Sequence, residues 1–173
     1  MTISFYELTV PAFVQTLAAT EQVLERGLGH AVDTGIDPES LVEARLCPDM
    51  LPLRFQIISV CHHSLGALEA AESGVFMPPD GRKPFTYAGL QALVAETRSK
   101  IAALSRDAVD ALEGKDVVFQ FGERKLPFTA TGFLQSFSLP NFYFHATTAY
   151  DILRVKGAPL GKRDFLGRLQ LKG

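Results

Sequence analysis

The sequence predicts an all-α protein: a four-helix up-down bundle with a long crossover and a small β-hairpin before the last helix. Two observations favour this class. Apolar residues recur at helical spacing over four long stretches, and only one short segment changes to a β-prone pattern. With 173 residues and no linker long enough to divide it, the chain is expected to form one domain over residues 1–173.

The first helix is expected near the N-terminus. Pro11 is compatible with a first helical turn, where its missing N–H does no harm. We therefore expect a short turn followed by a main helix from about Val10 to Leu28, weakened at its end by Gly27 and Gly29. Turn-forming residues follow, and they place His30 in a loop.

The second and third helices are separated by the crossover. The second helix is predicted to begin at Asp49 and to end near Gly74. Residues 75–85 contain three prolines and a glycine, which exclude regular structure there. Thr86 is a capping residue for the third helix, whose apolar stripe continues to a stop at Gly114.

The segment from Val117 to Phe128 contains two short β-prone runs around a glycine turn and predicts a hairpin. An isolated hairpin is only marginally stable, so this one must rest on the helices. We expect Phe119 or Phe121 to make that contact.

The last helix is predicted to begin near Thr129 or Thr131 and to end at Gly157. Pro140 falls inside it, removes one backbone hydrogen bond and should bend the helix just before His145.

Composition and charge exclude several classes of protein. The net charge is −2, so no basic field is available for nucleic acid. No apolar stretch reaches the ~18–20 residues of a membrane span, and the N-terminus does not resemble a signal peptide. Cys47 and Cys61 form no CxxC pair, and a reduced, cytoplasmic protein is expected.

Histidine positions are the most informative feature for function. Of the 4 histidines, His62, His63 and His145 lie in the middle of apolar helices, where histidine is uncommon. Neighbours on a helix differ by about 100°, so His62 and His63 cannot both face the core. His62 shares a stripe with Ile58 and Leu65, which favours His62 as the inward residue and leaves His63 as the alternative.

Four phrases carry a family resemblance: CPDM at 47–50, LRFQ at 53–56, PNFYFH at 140–145 and PLGKRD at 159–164. Together with the helix order, they resemble the DinB/YfiT-like superfamily, and more specifically a branch known only as a domain of unknown function. The resemblance covers almost the whole chain. It implies an up-down bundle that is often dimeric, so a homodimer is expected.

The resemblance also implies a site. Metal-binding members of the superfamily take one histidine from the second helix and two from an HxxxH pair on the fourth, hold Ni²⁺ or Zn²⁺, and in some cases transfer low-molecular-weight thiols. Here His62 or His63 would take the first role and His145 the second, while the third position is Ala149.

Two hypotheses follow. One is a weak or vestigial divalent-metal site at His62 (or His63) and His145, with a small molecule bound in the bundle core. The alternative is a non-enzymatic dimeric helical protein with structural histidines and no metal. The sequence assigns no catalytic residue.

Overall fold

The computed structural model describes residues 3–172, and its longest element is α1, Phe5–Thr34. A capping box starts this helix: the Ser4 hydroxyl accepts a hydrogen bond from the Glu7 N–H, and the Glu7 carboxylate accepts one from the Ser4 N–H. The helix runs for 30 residues. The predicted end at Leu28 was therefore wrong, and His30 lies inside the helix rather than in a loop.

Gly27 lies inside α1, where it allows other side chains to pack closely against the helix. A Cβ at Gly27 would lie 2.6 Å from the Tyr87 hydroxyl and 3.0 Å from the nearest methyl of Leu153. The Tyr87 hydroxyl donates to the Leu24 carbonyl at 2.7 Å. Glycine at this position therefore lets a buried tyrosine reach the backbone of α1.

The other elements follow in chain order: α2 (Pro38–Val42), α3 (Leu53–Cys61), π1 (His62–Gly66), α4 (Ala67–Ser73), β1 (Val75–Phe76), α5 (Tyr87–Ala102), α6 (Arg106–Asp110), β2 (Asp116–Phe121), β3 (Arg124–Thr129), α7 (Ala130–Phe133), π2 (Leu134–Ser138), α8 (Leu139–Val155) and α9 (Lys162–Leu166). Here π1 and π2 are single π-helical turns. The backbone at their boundaries stays right-handed helical, so α3, π1 and α4 form one continuous helix and α7, π2 and α8 form another.

The third predicted helix is interrupted. It begins as expected, with the Thr86 hydroxyl accepting from the Gly89 N–H, but α5 ends at Ala102. Ser105 then caps α6 by accepting from the Ala108 N–H at 3.2 Å. A serine that bonds nearby backbone offers the chain an alternative to continued helix, which accounts for the break.

The second helix also begins later than predicted, at Leu53 instead of Asp49. Pro52 immediately before it is extended, with ψ at 171°. Its end agrees with prediction, because Gly74 adopts a left-handed conformation with φ at 84°.

A three-stranded sheet has the order β1-β2-β3. Strands β2 and β3 form the predicted antiparallel hairpin, with Phe119 opposite Leu126. Strand β1 pairs in parallel with β2, with Val75 opposite Val118. The expectation that the crossover has no regular structure was therefore wrong for its first two residues.

Phe119 attaches the hairpin to the helices. Its ring is partly buried, and its centroid lies 4.8 Å from that of Phe137. Phe121 is 60% exposed. The predicted contact of the hairpin with the helices is therefore made by Phe119, one of the two alternatives.

Helix packing places the middle of α3–π1 beside α8. The first helix packs against α5 and α8, and α3 packs against α8 and α5. Phe13 and Phe142 meet edge to face at 5.0 Å between ring centroids and are fully buried. None of the helices within residues 3–172 combines the length and the apolarity needed to cross a membrane.

Pro140 is the second residue of α8, and π2 ends at Ser138, directly before α8 begins. A proline inside a helix lacks a donor and crowds the carbonyl four residues earlier. A π turn lies at this place, and the predicted bend of the helix before His145 stays a prediction. Single π turns are rare and occur frequently at functional sites.

Candidate functional site

Two histidines from different helices come together at the contact between π1 and α8. The ring centroids of His63 and His145 lie 5.8 Å apart, and the two rings are nearly parallel, with 17° between their planes. His63 is buried, with 6% of its surface exposed, whereas His145 is half-buried. The structure thus brings together His145 and His63, the residue predicted as the alternative to His62.

The expectation that His62 faces inward was wrong. His62 is only partly buried, and its Nε2 lies 2.7 Å from the carbonyl oxygen of Met77 in the crossover. Ile58 and Leu65, the apolar residues that share its stripe, are also only partly buried. The crossover covers this face of the helix. The large apolar side chains on it therefore lie beside the crossover and not in the core.

Gln56 fixes the protonation of His145. The Nε2 group of Gln56 donates to the Leu51 carbonyl at 2.7 Å, which turns its Oε1 toward the histidine. Oε1 lies 2.7 Å from Nδ1 of His145. Because an amide oxygen only accepts, Nδ1 must carry the proton, and the lone pair of His145 is on Nε2.

Ser138 has the same effect on His63. Its hydroxyl donates to the His63 carbonyl at 2.8 Å, so its one proton is already used. Nδ1 of His63 lies 3.4 Å from the same hydroxyl oxygen and donates to it in a long hydrogen bond. The lone pair of His63 is therefore also on Nε2. Ser138 ends π2 and His63 lies in π1, so the two π turns meet at this contact.

Both imidazoles are neutral near pH 7. Burial, followed by the proximity of His145 and His62, lowers the pKa of His63 to about 3. Burial alone lowers the pKa of His145 to about 4. The pair therefore presents two neutral rings, each with a basic Nε2.

Aromatic side chains surround the pair. Their ring centroids lie within 6 Å of one of the two imidazoles: Phe76 at 5.2 Å and Phe137 at 5.6 Å from His63, and Phe55 at 5.9 Å and Phe144 at 5.3 Å from His145. This apolar shell accounts for the lowered pKa values of the two histidines, because it solvates a charged ring poorly.

The part of the chain that the structure describes contains no complete three-ligand metal site. The position of the third family histidine is Ala149, a buried residue of α8. Among residues 3–172, no three histidine, cysteine, aspartate or glutamate side chains are grouped closely enough to hold an ion. The residues fit a two-imidazole version of the site and do not fit the full triad.

Cys61 is a core residue and not a candidate nucleophile. It is buried, and burial raises the pKa of its thiol to about 12. A thiol rather than a thiolate is present at neutral pH, so Cys61 is a poor nucleophile.

Sequence reasoning missed Gln56 and Ser138. A signal for Gln56 exists: it precedes His63 by seven residues, which places both on one face of the helix, and it is a buried amide in an apolar run. No comparable signal marks Ser138, because its contact with His63 joins residues 75 positions apart.

Comparison with known proteins agrees with the fold. Residues 5–166 match the model of a family described as a domain of unknown function, DUF1993. The chain belongs to this family. A DinB family member protein from Shewanella denitrificans, whose crystal structure is known, is similar over 97% of this chain and 94% of its own, with a TM-score of 0.80 and 25% sequence identity. The DUF1993 chain is therefore DinB-like in fold, as its sequence indicated. No curated protein matches it.

Proposed function

We propose that this DinB-like protein binds a divalent metal ion weakly through His63 and His145, with water in the remaining coordination positions. One observation carries the proposal: both imidazoles are held at Nδ1 and keep a free, neutral Nε2. Histidines that ligate metals commonly donate their other ring N–H to a fixed acceptor, which sets the tautomer and orients the ring.

The spacing of the two rings is compatible with a shared ion. A zinc ion lies ~2.1 Å from a ligating nitrogen, so two rings that share it have centres within about 6.5 Å. The observed separation of 5.8 Å falls within that limit. A bound ion would act as a Lewis acid or activate water there; the protein's part is to hold both rings neutral and oriented.

Weak binding is expected because the donor set is incomplete. Zinc sites usually have three or four protein ligands, and Ala149 supplies none. The apolar shell of phenylalanines also suits a small, largely apolar molecule beside the ion. This is the second part of the proposal, and it leaves the reaction unassigned.

We also propose the finer architecture. The four long helices α1, α3–π1–α4, α5 and α7–π2–α8 would form an up-down bundle; the packing of α1 on α5 and α8, and of α3 on the same two helices, supports it. The homodimer expected from the family resemblance stays a prediction, tested by light scattering against the 18.9 kDa monomer.

The metal proposal is tested by the melting temperature of the metal-free protein with added Zn²⁺ or Ni²⁺. Binding to the folded state should raise it, and His145→Ala should abolish the rise while His30→Ala keeps it. Because the pKa values of His63 and His145 are about 3 and 4, the rise should persist at pH 5.5, where an exposed histidine with a pKa of ~6.5 is mostly protonated. No rise at millimolar metal, or equal rises in both variants, would favour structural histidines.

A further inference from the structure

Ser59 lies on the buried side of α3, and its hydroxyl group has no hydrogen-bond partner. Only 1% of the surface of this residue is exposed. Among residues 3–172, Ser59 Oγ is the one fully buried side-chain nitrogen or oxygen atom that forms no hydrogen bond. Buried polar groups are nearly always paired, so an unpaired hydroxyl beside a candidate site points to a ligand outside the helix.

The hydroxyl of Ser59 does not use the acceptor that other buried hydroxyls of the helices use. Ser64 donates to the Val60 carbonyl one turn earlier at 2.8 Å, and Thr148 donates to the Phe144 carbonyl at 2.8 Å. Serine and threonine inside a helix commonly make this local bond. Ser59 makes no such bond, so its hydroxyl is available to a group outside its own backbone.

The residues of α3 and π1 that contact His145 surround Ser59. The ring of Phe55 lies 5.9 Å from the His145 ring, and the His63 ring lies 5.8 Å from it. Gln56 holds Nδ1 of His145 at 2.7 Å. Ser59 is four positions after Phe55, three after Gln56 and four before His63. Residues at these spacings are neighbours on a helix surface, so Ser59 lies at the centre of the face on which His145 packs.

Three polar groups therefore share this face: Nε2 of His63, Nε2 of His145 and the hydroxyl of Ser59. The two nitrogens accept hydrogen bonds, and the hydroxyl both donates and accepts. A water molecule complements this set, because buried waters typically make about three hydrogen bonds to polar groups that lack other partners. The orphaned hydroxyl thus fits a site in which water accompanies the two imidazoles.

We propose that Ser59 is a positioning residue of the His63–His145 site: its hydroxyl bonds the water that fills the coordination positions beside the two imidazoles. The inference rests on the metal binding proposed above and adds a third residue of this chain to it. Groups that orient the ligands of a metal typically change its affinity by about 10–100-fold. Ala149 supplies no donor, so the anchoring of water is expected to matter here.

A comparison of Ser59→Ala with Ser64→Ala tests the role of the hydroxyl, since both serines are buried in one continuous helix. Calorimetric titration with Zn²⁺ measures affinity, and thermal melts without metal measure stability. Ser59→Ala should weaken Zn²⁺ binding by about tenfold. Its melting temperature without metal should equal or exceed that of the parent protein, because the variant removes a buried hydroxyl that had no partner. Ser64→Ala should leave the Zn²⁺ affinity unchanged.

Ser59→Cys tests the orientation of the side chain by a spectroscopic signal. A thiolate at this position would join the two imidazoles as a third protein ligand. Titration with Co²⁺ should then produce a sulfur-to-cobalt charge-transfer band and tighter binding than in the parent protein. Ser64→Cys contains the same number of cysteines and should give no such band.

The outcomes separate this inference from the metal proposal on which it rests. A parent protein that binds neither Zn²⁺ nor Co²⁺ would overturn both. A parent protein that binds Zn²⁺ would keep the metal proposal. In that case, equal affinities of Ser59→Ala and Ser64→Ala, or the lack of a charge-transfer band in Ser59→Cys, would overturn the role of Ser59 alone.

Discussion

Gln56 and His145 lie 89 positions apart in the chain, and a 2.7 Å hydrogen bond joins the amide oxygen of one to Nδ1 of the other. The bond links α3 to α8 and leaves the lone pair of His145 on Nε2. It sets the tautomer of His145 that the proposed metal binding requires.

Removing this acceptor should cost stability. Gln56→Met leaves the Nδ1–H of His145 without a partner in a half-buried site, and an unsatisfied donor costs ~1–3 kcal/mol. Urea denaturation measures the loss. Gln135→Met, at an exposed position of π2, should change the free energy of unfolding by less than about 0.5 kcal/mol. Equal stabilities of the two variants would show that the Gln56–His145 bond does not form.

The pH dependence of stability should reveal both lowered pKa values. The unfolded histidines have a pKa of ~6.5, whereas His63 and His145 have values of about 3 and 4 when folded, so the unfolded state binds more protons between these limits. Stability from the neutral pair is complete above pH ~6.5 and is lost progressively as pH falls below that value, until the loss ends near pH 4 for His145 and near pH 3 for His63.

The loss between pH 7 and pH 5 should be on the order of 2 kcal/mol for each histidine, or about 4 kcal/mol for the pair. Urea midpoints across this range measure it, and the double variant His63→Gln/His145→Gln should show a smaller slope than the parent protein. A parent protein with constant stability down to pH 4 would contradict the burial of the pair.

Gly27 and Gly29 offer a matched pair on one helix. Gly27→Ala should destabilise the protein by ~1–3 kcal/mol, because the methyl group would lie 2.6 Å from the Tyr87 hydroxyl. Nothing lies within 4 Å of a Cβ at Gly29, so Gly29→Ala should stabilise the helix by ~0.5–1 kcal/mol. Thermal melts of both variants check this, and changes of the same sign would count against the packing of α5 on α1.

Phe119 and Phe121 should differ in the same way. Phe119→Ser removes the ring that packs on Phe137 and should cost ~1–3 kcal/mol, whereas Phe121→Ser, at a position 60% exposed, should stay within about 0.5 kcal/mol. Denaturant midpoints of the two variants measure these changes. Equal losses of stability would mean that the hairpin packs on the helices through a different face.

Local signals in the sequence located several helix ends correctly. Thr86 and Thr129 cap the helices that follow them, and Gly74 stops a helix in a left-handed conformation. Each of these residues acts on backbone groups within a few positions of itself, so its effect is readable without the fold.

Features that depend on contacts distant in the chain were not predictable in this way. Val75 joins the sheet only because Val118 lies beside it, and the π turn at His62–Gly66 is not specified by any local propensity. The prediction that His62 rather than His63 faces the core was wrong for a related reason. The crossover covers the side of the helix that carries His62, and its position could not be predicted from the sequence.

The most direct test of the central claim is the nitrogen NMR spectrum of the histidine side chains at pH 7, before and after addition of Zn²⁺. We predict that His63 and His145 are neutral with the proton on Nδ1, and that zinc shifts the Nε2 resonances of these two residues together, while those of His62 and His30 do not move. A proton on Nε2 of either residue, a charged ring at pH 7, or a zinc response confined to the other histidines would contradict it.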